Sequence, residues 1–118
     1  MDLNAILIGS EDPKRLSAYY TRLFGTPAME DGGWAGWKIG SCSIVVGPHD
    51  QVKGKNTQPG RILLNIESRD VQGDFARLRA AGATVVREPY RLEGWPPGTW
   101  VATLADPDDN YFQLVSPT

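Results

Sequence analysis

The chain has a single cysteine, Cys42, so no intramolecular disulfide can form and the fold must be held by packing. Cys42 sits in an apolar run and reads as a small buried hydrophobe rather than a nucleophile. Basic residues are not in excess. Lys and Arg number 12 against 14 Asp and Glu, a net charge of −2, which argues against a nucleic-acid partner because phosphate binding needs a basic surface. Long apolar runs are missing as well. None approaches the roughly 20 residues needed to cross a bilayer, so no membrane partner is expected. Met1-Asp2-Leu3-Asn4-Ala5 carries no basic segment leading into an apolar one, and the expected location is the cytoplasm.

What is present suits one globular domain spanning 1–118. Hydrophobic residues make up 41% and charged residues 22%, close to globular averages, and 118 residues bury enough surface for a core without staples.

Leu3 to Ile8 is short, apolar and branched, and predicts a buried strand. Ser10-Glu11-Asp12-Pro13 predicts a helix start, with Asp12 capping free N–H groups and Pro13 at the first helical position. Leu16, Tyr19, Tyr20 and Leu23 form one helical stripe, and Gly25 ends it. Gly33 to Ile39 and Ser41 to Val46 read as strands joined by a Gly40-Ser41 turn. The following stretch, with Pro48, Gly54, Pro59 and Gly60, has little apolar content and reads as a linker.

The order then repeats. Ile62 to Ile66 reads as a strand, and Ser68-Arg69-Asp70 echoes Ser10-Glu11-Asp12 half a chain later. Val71, Phe75 and Leu78 mark a second helix closed by Gly82. Residues 83–87, 99–104 and 111–115 read as strands, with a turn at Asp106-Pro107-Asp108-Asp109-Asn110. The fold class expected is α+β, two tandem βαβββ modules: module one 1–47, linker 48–60, module two 61–118. With a helix on one face of each sheet, the other faces would form an incompletely closed barrel around a central cavity.

Four tryptophans are many for this length. Trp34, Trp37, Trp95 and Trp100 are candidate walls for a planar or apolar ligand, with core packing or an interface as the competing use. Trp95 lies in Arg91 to Gly98, a loop able to close over a ligand or simply to join two strands. Tyr90 could offer its phenol to a ligand. His49 beside Asp50 could move a proton or could be solvated. Asp12 and Asp70 read as caps, and Glu67 as a surface charge.

Three segments together carry a resemblance. Ile6-Leu7-Ile8-Gly9-Ser10-Glu11-Asp12 with Tyr19-Tyr20 and Leu23-Phe24-Gly25 is one. Asp70-Val71 with Ala76 to Ala83 is the second, and Asp106 to Leu114 the third. In this order and spacing they resemble the vicinal-oxygen-chelate (glyoxalase/bleomycin-resistance/dioxygenase) superfamily, here a glyoxalase-like domain. The last segment is similar to that superfamily's DPDGN turn, with Asp109 in place of the glycine. The resemblance implies four metal-ligand positions near Ala5, Ile44, Leu63 and Gln113, or Asn4 and Leu64 with the register shifted by one. Of these only Gln113 is a side chain of even weak ligating type, and His49 is not at a matching position. The expectation is therefore no metal and no cofactor, and a small-molecule-binding protein with Trp34, Trp37, Tyr90, Trp95, Trp100 and Gln113 as ligand-binding residues. The alternatives are a lyase, isomerase or dioxygenase with atypical metal ligands, and a regulatory or partner-binding module. The resemblance also implies a homodimer.

Overall fold

The computed structural model describes residues 1–117. Along the chain run β1 (Ala5–Ser10), α1 (Pro13–Phe24), β2 (Met29–Asp31), β3 (Trp34–Ile39) and β4 (Cys42–Pro48). A 3₁₀ turn at Pro59–Arg61 leads to β5 (Leu64–Glu67), α2 (Val71–Ala80), β6 (Thr84–Arg91), β7 (Trp100–Ala105) and β8 (Tyr111–Val115). The chain divides into two compact units, Met1–Lys55 and from Asn56 onward.

Each unit has the same plan. The first sheet has the order β1-β4-β3-β2 and the second β5-β8-β7-β6. In both, the strand before the helix lies parallel to the last strand, and the remaining pairs are antiparallel. The fold is thus α+β, with one βαβββ module repeated.

The repeat extends to individual hydrogen bonds. The Ser10 hydroxyl accepts from the Asp12 N–H at 3.0 Å, and the Asp12 carboxylate accepts from the Arg15 N–H at 3.2 Å. Ser68 and Asp70 do the same, with Asp70 N–H and Gly73 N–H as donors. Each set satisfies N–H groups that the first helical turn leaves unpaired.

In the first unit, Leu16, Tyr19, Tyr20 and Leu23 of α1 are buried against the sheet. Trp37 packs at 5.8 Å from Tyr20, and its indole N–H donates to the Gly25 carbonyl at 2.9 Å. Its cross-strand partner Ile44 shares that face, as do Val46 and Ala35. In the second unit, Val71, Phe75 and Leu78 of α2 are buried together with Leu104, Phe112 and Leu114. Each such fully buried side chain stabilises the fold by roughly 1.5–3 kcal/mol.

Two features depart from the pattern read in the sequence. β2 had no stretch of sequence assigned to it, although a βαβββ module calls for a strand there, because Met29-Glu30-Asp31 is exposed throughout and shows no apolar alternation. It forms because Gly32 and Gly33, with φ of 57° and 88°, make a two-residue hairpin back onto β3. β6 runs to Arg91, well past the expected 87, and its pairing with β7 slips twice: between Val85 and Arg87, and between Arg87 and Tyr90.

The turn before β8 is built around Asp106, which is 2% exposed. Its carboxylate accepts from the backbone N–H groups of Asp108 and Asn110 and from the Asn110 amide.

Candidate functional site

Residues paired across strands lie side by side on one face of a sheet. In the second unit, Asn65 of β5 pairs with Gln113 of β8, Gln113 with Thr103 of β7, and Thr103 with Arg87 of β6. These four polar side chains form one row across all four strands. They occupy the face opposite Phe112, Leu114 and Leu104, hence away from α2. The adjacent row on that face reads Glu67, Val115, Val101, Tyr90.

Within the row, the Gln113 amide N–H donates to the Thr103 hydroxyl at 3.0 Å. One N–H of Gln113 is thereby used, and its carbonyl, its second N–H and the Thr103 O–H keep hydrogen-bonding capacity. Thr103 is 7% exposed, while Asn65 and Arg87 reach solvent. Arg87 lies over the Tyr90 ring, its guanidinium carbon 3.5 Å from the ring centroid. Among the described residues no carboxylate forms an ion pair with Arg87.

The two slips in β6 create this arrangement. Val85 pairs with Leu104 on the α2 side; two residues later, Arg87 would point the same way in a regular strand. An extra residue on β6 turns Arg87 to the Thr103 side instead. A second extra residue brings Tyr90, three positions on, to the same side as Arg87. Glu88, within the second slip, forms an ion pair with Arg79 of α2 at 3.4 Å.

Within each unit, the residues expected from the sequence fall on different faces and segments. Tyr90 and Gln113 share the face just described. Trp100 pairs with Arg91 and alternates with Val101, which puts it on the opposite face. Trp95 is exposed at 53% in the loop after β6. In the first unit Trp37 is 2% exposed and serves the core beneath α1. Trp34 projects from the other face of β3, where its indole lies so close over Gly47 that a Cβ there would overlap the ring. Trp34 also borders an open groove of ≈ 640 Å³ between α1 and the 27–35 segment, with Lys14, Ser17, Thr21, Glu30 and Asp31. His49 and Asp50 face solvent, with Nδ1 and Oδ1 3.6 Å apart, and Nδ1 already accepts the Gln51 N–H. Cys42 is half-buried at the start of β4.

Asn65, Thr103 and Arg87 escaped the sequence reading. A polar residue in a strand signals a solvated or concave face without saying which, and the slips in β6 break the alternation that would have assigned Arg87.

Register also corrects one position implied for a metal. Ala5 pairs with Ser43, so Ser43 shares its face, whereas Ile44 is turned beneath α1 and 5% exposed. Leu63 falls just before β5, and the β5 residue beside Gln113 is Asn65. The side chains at these places are therefore Ala5, Ser43, Asn65 and Gln113. No group of three or more His, Cys, Asp or Glu able to hold a metal occurs among the described residues. None of these four side chains is of the imidazole, thiolate or carboxylate type on which divalent-ion sites usually rest.

Known proteins were compared with this architecture. A model of the glyoxalase-like domain family matches residues 5–115. No curated protein sequence matches. Among solved structures, a glyoxalase/bleomycin resistance protein/dioxygenase family enzyme from Burkholderia phytofirmans PsJN superposes with a TM-score of 0.76, covering 98% of each chain at 23% identity. A glyoxalase-related enzyme from Fulvimarina pelagi gives 0.75 over 99% of this chain and 88% of its own, at 20% identity. TnmS3, an antibiotic binding protein from Streptomyces sp. CB03234, gives 0.74 over 100% of this chain and 97% of its own, at 22% identity. At such identities the likeness is one of fold. The family match spans both βαβββ modules, from the first residue of β1 to the last of β8, and the chain belongs to the glyoxalase-like domain family.

Proposed function

We propose that this protein binds a small molecule along the face of its second sheet that is turned away from α2, and does not transform it. The observation that carries the reading is the row Asn65, Gln113, Thr103 and Arg87. It offers amide, hydroxyl and guanidinium groups, which orient a ligand by hydrogen bonds. It holds no activated nucleophile, no acid–base pair and no ligand set for a Lewis acid. Fixed polar groups set among apolar neighbours such as Val101 and Val115 are the usual make-up of a small-molecule site. That a protein of this fold is described as antibiotic binding is compatible with binding as the whole activity.

The test is a thermal-shift screen of the full chain against aromatic metabolites and antibiotics, followed by mass spectrometry of each hit after prolonged incubation. A ligand at a hundred times its Kd adds about 2.7 kcal/mol, which for a domain of this size raises Tm on the order of 10 °C. The expected hit stabilises the chain and is recovered unchanged. A hit that is consumed would show an enzyme instead.

A further inference from the structure

Among the described residues, Arg87 is the one cation on the face of the second sheet turned away from α2, and its setting is specific. Two extra residues in a single strand aim it and Tyr90 to the same side. Bulges that re-aim side chains recur beside functional sites. Stacking on Tyr90 occupies the flat face of the guanidinium, whose N–H donors lie in its plane and remain free at the rim. A stacked Arg has also lost much of its rotamer freedom, so a ligand pays little to order it.

The other charges near β6 are directed elsewhere. Glu88 is held by Arg79, and Arg91 pairs with Trp100 on the α2 side. Glu67 shares that face but stands on β5, at the far edge of the sheet, roughly 14 Å from β6 at the usual strand spacing. One fork-shaped cation remains, next to a hydroxyl and two amides.

We infer that the row takes a small organic monocarboxylate, its carboxylate forked on Arg87 and its neutral polar groups lying along Thr103, Gln113 and Asn65. The inference rests on the small-molecule-binding reading above and names the class of ligand. A guanidinium binds a carboxylate through two parallel N–H···O bonds. A single cation matches a single negative charge. A phosphate dianion would call for a second cation or a cradle of backbone N–H groups, and the row has neither. The length of the row, about 14 Å, suits a molecule of one or two rings.

Benzoate and its neutral isostere benzamide test this on the full chain, read by ¹⁵N NMR including the Arg Nε–H and Gln side-chain signals. Benzoate is expected to shift the Arg87 and Gln113 side-chain signals saturably, with benzamide about tenfold weaker. Arg87→Gln should weaken benzoate by about tenfold and benzamide much less, and Arg87→Lys should restore part of the loss, since it keeps the charge without the fork. Arg87 is exposed, so these variants should keep the wild-type amide spectrum. Equal binding of the two probes, or benzoate binding indifferent to Arg87→Gln, overturns the carboxylate assignment while leaving the small-molecule reading intact. If neither probe shifts any signal and the wider compound screen is also silent, both readings fall.

Discussion

Asp109 holds a φ of 61°, the one non-glycine residue with positive φ among those described. The left-handed region costs an L-residue about 1–2 kcal/mol, less for Asp, whose side chain can bond locally. Glycine pays no such strain but loses roughly 0.5–1 kcal/mol more chain freedom on folding. Unfolding in urea should rank Asp109→Gly above the parent by about 0.5 kcal/mol and Asp109→Ala below it by a similar amount. An alanine variant as stable as the parent would show that the turn relaxes to another conformation. The turn itself was legible in Asp106-Pro107-Asp108-Asp109-Asn110, whereas the positive φ at Asp109 was not read from it. Trp34 and Trp37 lie three apart in one regular strand, so parity puts them on opposite faces, a constraint already present in the numbering.

At the level of elements, both helices could be placed because their starts carry explicit chemistry. Asp12→Ala and Asp70→Ala should each cost about 1 kcal/mol of unfolding free energy. The two caps share no hydrogen-bond partner, so the double variant should cost their sum to within about 0.5 kcal/mol. A clearly larger loss in the double variant would reveal coupling between the helix starts. β2 was invisible for the opposite reason: its three residues bury nothing, and only the Gly32-Gly33 hairpin makes them a strand. In β6 the obstacle was register. Sequence alternation presumes one partner residue per residue, and an extra residue moves every later side chain to the other face without leaving a compositional trace. The polar row therefore had to be assembled from three strand pairings, although Gln113 and Tyr90 had each been singled out.

For the molecule as a whole, the repeated βαβββ plan was readable because the same Ser-x-Asp start, helical stripe and closing glycine occur twice. The chemistry was only half readable: the lack of ligand-type side chains could be seen, but which residues stand beside Ala5 and Gln113 needed the pairing. Ser43 and Asn65 hold those places, and neither is a strong ligand. Calorimetric titration with Zn²⁺, Ni²⁺, Mn²⁺ and Fe²⁺ should accordingly show no stoichiometric binding at micromolar or tighter affinity. A single tight equivalent of any of them would mean that the chain recruits donors from elsewhere.

β6 lies at the edge of its sheet and borders β7 alone, so each extra residue disturbs one ladder and no more. The loss of a single codon there is therefore a mild event for folding. Deleting Val86 would let Arg87 follow Val85 in plain alternation, still across from Thr103. Lineages sharing this scaffold could thus shorten the edge strand by either extra residue while Arg87 and Tyr90 keep their face.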